Sequence, residues 1–242
     1  MRQIRYAHRG LHDLAQGIPE NSLPAFRRAA GRGFGAELDV HLLADGSLAV
    51  FHDSDLRRMT GREGVIEELT AAALGEYKLG GTEETIPRLR DVLEIYERVK
   101  LPLVVELKPH AGNHNALTER AAAELDRFGV PYVVESFDPR CLLWLRRNRP
   151  EIIRGQLAQD FLRSPSGLGG RMDRLMTDMA FNRFTKPHFV AYRFEDRGRP
   201  RLRRMIRRGS PVVFYWTIRS RADMEAAEAE GARVIFEGFV PI

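Results

Sequence analysis

Short runs of β-favouring residues alternate with longer amphipathic runs along this 242-residue chain. Eight runs predict strands: Ile4–Ala7, Ala36–Val40, Leu103–Leu107, Tyr132–Glu135, Ile152–Leu157, Phe189–Ala191, Val212–Trp216 and Val234–Phe236. Helical patterns between them include Ser22–Arg32, Leu89–Val99, Ala116–Phe128 and Ala222–Glu230. Eight alternating units over about 250 residues favour an α/β fold of the TIM (β/α)8 barrel type. A doubly wound parallel sheet is the alternative, but the sequence has neither a G-x-G-x-x-G motif nor a P-loop.

The chain is predicted to form a single domain over residues 1–242, because no Ser/Gly linker or long low-complexity stretch interrupts it. Residues 42–52, around Asp45-Gly46, predict a hairpin that extends the second strand. The most irregular regions are 53–86 and 158–187, and the first is interpreted as a small insertion. Asp138-Pro139 predicts the start of a further helix, since Asp caps helices and Pro is tolerated in their first turn.

Composition and charge exclude several classes of protein. Hydrophobic residues make up 43% and charged residues 29%, an ordinary globular balance. The net charge of +5 includes arginine-rich runs that apolar residues interrupt at helical spacing, so we interpret these runs as solvated helix faces and expect no nucleic-acid partner. No 18-residue apolar run occurs, and the first six residues lack the apolar core of a signal peptide. A cytoplasmic protein without stable membrane insertion is expected, with its single cysteine, Cys141, buried and inert; the oligomeric state is left open.

Acidic residues lie at same-side spacing on two predicted strands. Glu37 and Asp39 are two residues apart, as are Glu106 and Lys108, and residues at this spacing project to the same side of a strand. Charges facing a barrel interior carry a large desolvation cost without compensation. One divalent cation held by Glu37, Asp39 and Glu106 would compensate them, and an all-oxygen site suits Mg²⁺ or Ca²⁺. The alternative is a buried ion pair of Lys108 with solvated acids at the rim.

Two histidines follow apolar strand runs at the same predicted edge. His8 ends the first strand unit and His52 ends the hairpin of the second. Near neutral pH, two imidazoles beside a metal-bound phosphate can serve as general acid and general base, with Arg9 and Lys108 as partners for its oxygens. The remaining histidines are interpreted as surface or loop residues, and the side chain of His41 is expected to point away from Asp39. These other histidines are His12, His41, His110, His114 and His188.

An ordered series of short motifs runs from Ala7 to about Thr217. It comprises H-R-G, P-E-N-S, E-L-D-V, D-G-S-L-A-V-F-H-D, I-P-R-L, E-L-K, S-F and W-T. In this combination the chain resembles the glycerophosphodiester phosphodiesterase family. The resemblance implies a TIM barrel and the hydrolysis of small-molecule glycerophosphodiesters to sn-glycerol 3-phosphate and an alcohol, with a divalent metal.

By matching motif, the resemblance implies the acid/base role for the two histidines and the metal-ligand role for the three carboxylates. Arg9 and Lys108 resemble the family's phosphate-contacting residues, and Glu20 of P-E-N-S is expected to support the region of the first histidine. Its alternative role is that of an acid at a helix start. Ser136-Phe137 and Trp216 resemble residues of the pocket wall, with aromatic core packing as the alternative.

The chain departs from the family pattern at its C-terminal end. Arg219 stands where Asn often follows W-T-V, and Glu237-Gly238 stands where the last strand usually leads into T-D-x-P. These departures bear on substrate specificity. A lysophospholipase D-like activity at the same site is the alternative function, but the charged composition of residues 53–86 favours soluble substrates. A non-catalytic ligand-binding barrel would be expected to lack a member of the catalytic set, and none is missing.

Overall fold

The computed structural model describes residues 4–209 and 211–241. Contacts between residues group the chain into two compact units, residues 2–133 and residues 134–242. Residues 1–3, which open the segment predicted to lack a signal peptide, lie outside the described residues.

The first unit is organised around the long strand β2. Its elements are β1 (Tyr6–Ala7), α1 (Leu23–Gly31), β2 (Gly35–Leu42), β3 (Leu48–Val50), α2 (Arg57–Thr60), α3 (Leu89–Val99), β4 (Leu103–Leu107) and α4 (His114–Leu125). Strand β2 pairs in parallel with β1 and β4 and antiparallel with β3. The predicted hairpin is therefore present, with Val40 opposite Val50 and Leu42 opposite Leu48.

The second unit contains five consecutive parallel strands. Its elements are β5 (Tyr132–Ser136), which begins just before the unit, then α5 (Pro139–Asn148), β6 (Arg154–Ala158), α6 (Gly170–Thr177), α7 (Asn182–Thr185), β7 (Phe189–Arg193), α8 (Pro200–Arg207), β8 (Val212–Ile218), α9 (Arg221–Ala229) and β9 (Arg233–Phe236). Each strand pairs in parallel with the next, from β5 to β9. Every predicted strand is thus present among the described residues, with bounds that differ by a few positions.

Capping residues start the helices where the sequence predicts them. The side chain of Ser22 accepts a hydrogen bond from the backbone of Ala25 at the start of α1. Asp138 accepts from the backbone of Arg140 at 2.8 Å, and Pro139 occupies the first position of α5. These bonds satisfy backbone N–H groups that have no partner inside the helix.

Residues 53–86 form a packed insertion with its own apolar core. Leu56, Ile66 and Leu79 are fully buried and pack with Phe51, which follows β3. Two short 3-10 helices, Ile66–Glu68 and Leu74–Glu76, carry part of this cluster. Each buried side chain of this size contributes about 1.5–3 kcal/mol relative to exposure. The insertion is therefore held to the first unit by burial and is not an open loop.

Two further expectations concern the rest of the chain. Cys141 is buried in α5 as a free thiol, as predicted. Among the described residues, no helix has both the length and the apolar character needed to cross a bilayer.

Candidate active site

Three carboxylates come together on the paired strands β2 and β4. The register places Asp39 beside Glu106, and Glu37 lies two residues before Asp39 on the same strand. All three are buried, with 2% of Glu37, 1% of Asp39 and 7% of Glu106 exposed. One oxygen from each lies within 4.8 Å of the others. The predicted carboxylate cluster is therefore present, and these three residues are not solvated rim acids. The other part of the alternative, an ion pair of Lys108, is present at Glu106.

Lys108 and Arg9 balance part of this buried negative charge. The Nζ atom of Lys108 lies 2.8 Å from Glu106 and 3.1 Å from Asp39, and Nε of Arg9 lies 3.5 Å from Asp39. Burial alone would raise the pKa of Asp39, but the positive charges of Lys108 and Arg9 hold it well below its ordinary range. Burial raises the pKa of Glu106 to about 7, with Asp39 adding to the rise and Lys108 opposing it. Without a cation, Glu106 therefore holds a proton below about pH 7, while Asp39 stays ionised.

The loop after β1 is fixed against α1 and β2. The backbone N–H of Arg9 donates to Glu37 at 3.1 Å, and Nε2 of His8 lies 3.9 Å from the same carboxylate. Gly10 has a φ of 77°, and a Cβ there would lie 2.8 Å from the Cβ of Ala25. Only glycine allows this close approach, so the H-R-G sequence brings His8 and Arg9 to the carboxylates for a steric reason.

Asn21 holds Asp39 from the other side. Its Nδ2 donates to Asp39 at 2.9 Å, and its backbone N–H donates to the carbonyl of Arg9 at 2.9 Å. Both Asn21 and Arg9 have φ near 53°, in the left-handed region that non-glycine residues seldom adopt. The Oδ1 atom of Asn21 is buried and accepts no hydrogen bond within the described part of the chain. The sequence alone predicts no role for this asparagine of the P-E-N-S motif.

His52 lies at the end of the hairpin and is oriented by its neighbour. Its Nδ1 lies 2.5 Å from Oδ1 of Asp53, and 30% of its side chain is exposed. Burial lowers the pKa of His52 to about 4; Asp39 opposes this shift, while Lys108 and Arg9 add to it. His52 is therefore neutral at pH 7. Because a carboxylate accepts hydrogen bonds, Nδ1 carries the proton and Nε2 keeps its lone pair.

Arg58 of the insertion joins the two halves of this network. It donates to Asp53 at 2.5 Å and to the two oxygens of Glu20 at 2.6 and 3.0 Å. Glu20 in turn accepts from Arg9 at 2.8 Å. Hydrogen bonding to Glu20 raises the pKa of Arg58 above its ordinary value. Glu20 thus lies beside Arg9, and its supporting role toward the first histidine stays a prediction. The sequence offered Arg58 only as part of the charged composition of residues 53–86.

His41 corrects one expectation. It was predicted to be a surface residue pointing away from Asp39, but only 1% of it is exposed. Positions 39 and 41 are two apart and therefore share a side of the strand. The Nδ1 of His41 lies 2.7 Å from Glu67, and its Nε2 lies 3.2 Å from the backbone oxygen of His52. His41 thus connects the insertion to the backbone of the candidate catalytic histidine.

The predicted pocket-wall residues lie in the second unit. Ser136 ends β5, and the ring of Phe137 meets that of Trp216 edge to face, with 5.8 Å between centroids. Nε1 of Trp216 is buried and has no hydrogen-bond partner among the described residues. Packing between aromatic rings is therefore present, and the role of these residues toward a substrate stays a prediction.

The donor set of the first unit fits a hard divalent cation. Glu37, Asp39 and Glu106 offer only oxygens, and in the described part of the chain this cluster includes no cysteine or histidine. Three carboxylates against Lys108 and Arg9 leave the cluster one negative charge in excess when all three are ionised. The residues present can therefore hold a metal such as Mg²⁺ or Ca²⁺.

Comparison with known proteins agrees with this geometry. The profile of the glycerophosphoryl diester phosphodiesterase family matches residues 8–239. A glycerophosphodiester phosphodiesterase of Bacillus altitudinis is 32% identical over 170 residues, which cover 66% of this chain and 68% of the relative. One of Caldanaerobacter subterraneus is 26% identical and covers 93% of this chain and 89% of the relative.

A solved structure is similar over nearly the whole chain. It is that of an Oleispira antarctica phosphodiesterase in complex with the product sn-glycerol-3-phosphate, with a TM-score of 0.79 and 24% identity over 98% of this chain and 93% of that one. This similarity confirms the predicted fold, a TIM (β/α)8 barrel. The chain belongs to the glycerophosphoryl diester phosphodiesterase family, whose members are phosphoric diester hydrolases.

Proposed function

We propose that the protein hydrolyses glycerophosphodiesters to sn-glycerol 3-phosphate and an alcohol, with one divalent cation and two histidines as acid and base. The observation that carries this proposal is the buried cluster of Glu37, Asp39 and Glu106, whose oxygens lie within 4.8 Å of one another. His8 lies 3.9 Å from this cluster, at Glu37.

The three carboxylates would hold the cation, which supplies electrostatic stabilisation for the phosphate oxygens as charge develops on them. Arg9 and Lys108 carry fixed positive charge at the same place. Burial alone would lower the pKa of Lys108, but Asp39 and Glu106 raise it above its ordinary value, so the ammonium group stays protonated. The side chains of Arg9 and Lys108 are positioned before substrate arrives, so phosphate binding needs little reorganisation of these two residues.

The protonation state and the neighbour of His52 favour it as the initial base. It is neutral at pH 7, and Asp53 holds its proton on Nδ1, so Nε2 can accept a proton. In the proposed first step, His52 takes the proton of a glycerol hydroxyl of the substrate. The hydroxyl oxygen forms a bond to phosphorus, the phosphorus–alkoxide bond breaks, and a protonated His8 gives its proton to the leaving alkoxide.

In the second step, water opens the resulting cyclic phosphate and the two histidines exchange roles. His8 takes a proton from water as the new oxygen–phosphorus bond forms. His52 returns its proton to the ring oxygen that leaves. Both histidines end in their starting states, so the cycle is balanced. The exposed fractions of their side chains, 14% for His8 and 30% for His52, leave both rings accessible to substrate.

Product analysis of glycerophosphocholine hydrolysis tests this proposal. The protein supplied with Mg²⁺ or Ca²⁺ should release choline and sn-glycerol 3-phosphate, which phosphorus NMR distinguishes from phosphocholine. His188→Ala is a matched control, because His188 is an exposed histidine of the second unit. Release of phosphocholine, or an absence of hydrolysis with any glycerophosphodiester and either metal, would contradict the proposal.

A further inference from the structure

Exposed apolar side chains are concentrated in one short stretch of the second unit. Of the nine large apolar residues that are exposed in the described part of the chain, four lie between residues 162 and 175. They are Leu162, Leu168, Met172 and Leu175, with exposed fractions of 46%, 68%, 36% and 43%. This stretch, which we call the 162–175 segment, leads from β6 into α6.

The exposed charged residues within residues 162–175 are all positive. Arg163, Arg171 and Arg174 are exposed, and the latter two make no ion pair among the described residues. Arg163 lies 3.7 Å from Asp196 but keeps 73% of its side chain exposed. The one acid of the segment, Asp173, is buried and accepts hydrogen bonds from the backbone and side chain of Ser166. Cations and apolar groups are therefore presented to solvent with no exposed carboxylate within residues 162–175, and the next exposed acid along the chain is Asp178, at the end of α6.

Two buried polar residues anchor α6, and Met172 and Leu175 lie on its exposed side. Asp173 and Thr177 lie one helical turn apart, and both are buried. The hydroxyl of Thr177 accepts from the backbone of Phe161 at 3.0 Å and donates to the carbonyl of Asp173 at 2.8 Å. Met172 and Leu175, three apart, cannot turn inward without breaking these bonds. The buried positions of α6 are thus the polar residues Asp173 and Thr177, while Met172 and Leu175 are exposed together with Arg171 and Arg174. An ordinary surface helix buries its apolar residues instead.

We propose that the 162–175 segment docks reversibly on anionic phospholipid membranes. Its leucines and methionine would enter the headgroup boundary, and its three arginines would contact lipid phosphates, the combination by which interfacial helices bind. Pairing with a second copy of the chain would place these arginines against their own counterparts in a two-fold contact. Nucleic acid is disfavoured because the exposed apolar groups of the segment are aliphatic or thioether and cannot stack on bases as aromatic rings do. The proposal is independent of the proposed catalytic function.

Helix α8 supplies a matched control within the same unit. It is at least as basic, with exposed Arg201, Arg204 and Arg207, but its leucine, Leu202, is fully buried. Helix α8 thus presents positive charge without large exposed apolar groups, whereas the 162–175 segment presents positive charge together with such groups. If membrane binding needs both positive charge and exposed apolar groups, substitutions in the 162–175 segment should weaken it strongly and substitutions on α8 should not.

Co-sedimentation with lipid vesicles tests the proposal without reference to activity. We expect the wild-type protein to sediment with vesicles that contain phosphatidylglycerol and not with vesicles of phosphatidylcholine alone. The double substitution Arg171→Gln with Arg174→Gln should weaken partitioning about 30-fold. Leu168→Ser with Leu175→Ser should weaken it at least about tenfold. Arg204→Gln with Arg207→Gln on α8 should change it less than about threefold.

Thermal melting of each variant separates loss of binding from loss of folding, and a melting temperature near that of the wild type validates the comparison. The proposal is overturned if the wild-type protein does not bind anionic vesicles, or if either variant of the 162–175 segment binds them as well as the wild type does. It is equally overturned if the α8 variant loses as much binding as the segment variants, because bulk charge would then explain the association. A dimer in analytical ultracentrifugation that the segment variants convert to monomer, without vesicle binding, would assign the surface to a second copy instead.

Discussion

The Nδ1 atom of His52 lies 2.5 Å from Oδ1 of Asp53, the next residue in the chain. Burial alone would raise the pKa of Asp53, but its hydrogen bonds with His52 and Arg58 hold it below its ordinary value. Asp53 is therefore a carboxylate at neutral pH, and it accepts a hydrogen bond from the N–H at Nδ1 of His52. The pair fixes both the tautomer and the orientation of the imidazole, as a carboxylate does for a catalytic histidine in other hydrolases.

Removing this carboxylate should slow turnover without unfolding the protein. We expect Asp53→Ala to lower kcat roughly 10–100-fold, because the imidazole loses the partner that selects its tautomer. KM should change little, since Asp53 is proposed to act through His52. Glu63→Ala is the control, because Glu63 belongs to the same insertion and pairs with Arg57 at the surface. Equal kcat values for Asp53→Ala and the wild type would remove the positioning role.

Replacing either histidine should have a larger effect. We expect His8→Ala and His52→Ala each to lower kcat roughly 10²–10⁴-fold, the usual size for the loss of an acid or base. Neither ring is part of the apolar core, so circular dichroism and thermal melting should stay close to the wild type. A variant that keeps the wild-type rate would exclude that histidine from the acid/base role.

Local patterns predict the strands, several helices and the carboxylate cluster. Strand alternation placed Glu37 beside Asp39 and Glu106 beside Lys108, and both pairs lie where expected. By the same rule, His41 lies on the same side of the strand as Asp39 and is buried there, so the expectation that it points away is wrong. The barrel was predicted from the repetition of strand and helix, because each unit leaves a local periodicity in the sequence.

Contacts between distant segments left no such signal. Arg58 reaches Glu20 across 38 positions, and nothing in the charge pattern of the insertion separates it from its neighbour Arg57. Residues 53–86 also looked irregular, although Ile66 and Leu79 are buried in a cluster with Phe51. Packing of this kind is set by tertiary contacts and not by periodicity, so it becomes visible only in the structure.

Loss of the cation should abolish activity reversibly. We expect a chelator to remove turnover and Mg²⁺ or Ca²⁺ to restore it, because the metal would neutralise phosphate charge in the transition state. Glu37→Gln, Asp39→Asn and Glu106→Gln should each weaken metal binding in calorimetric titrations while the fold is kept. Glu124→Gln is the control, since Glu124 is an acid of α4 outside the cluster. Full activity in a chelated, metal-free sample would contradict the carboxylate site.

Metal affinity should rise with pH up to about neutrality. In the metal-free protein, burial raises the pKa of Glu106 to about 7, so metal binding below that pH must displace a proton. One displaced proton predicts affinity about 25-fold higher at pH 7.5 than at pH 5.5. For the same reason, the metal-free fold holds a proton that the unfolded chain releases above its ordinary pKa of 4.5, so its stability should fall between pH 4.5 and 7.

Glu106→Gln separates these two effects. The variant cannot bind this proton, so the stability of its metal-free form should not fall between pH 4.5 and 7. Denaturant melts at several pH values, compared with those of the wild type, check the sign. A wild-type stability that rises over this range, or a metal affinity that ignores pH, would show that Glu106 is already ionised in the metal-free protein.

Soluble, deacylated glycerophosphodiesters should be better substrates than lysolipids. The insertion buries its apolar residues in its own cluster, including Leu56, Ile66 and Leu79, and exposes charged ones such as Glu63 and Glu76. It therefore offers no free apolar groove to an acyl chain, whose binding would need one. We expect kcat/KM for glycerophosphocholine to exceed that for lysophosphatidylcholine by at least about tenfold, or ~1.4 kcal/mol in transition-state binding. Both substrates should be measured as monomers, below the micelle concentration of the lysolipid, so that docking of the 162–175 segment on a lipid surface does not contribute. Equal values, or an advantage for the lysolipid, would favour the lysophospholipase D-like activity instead.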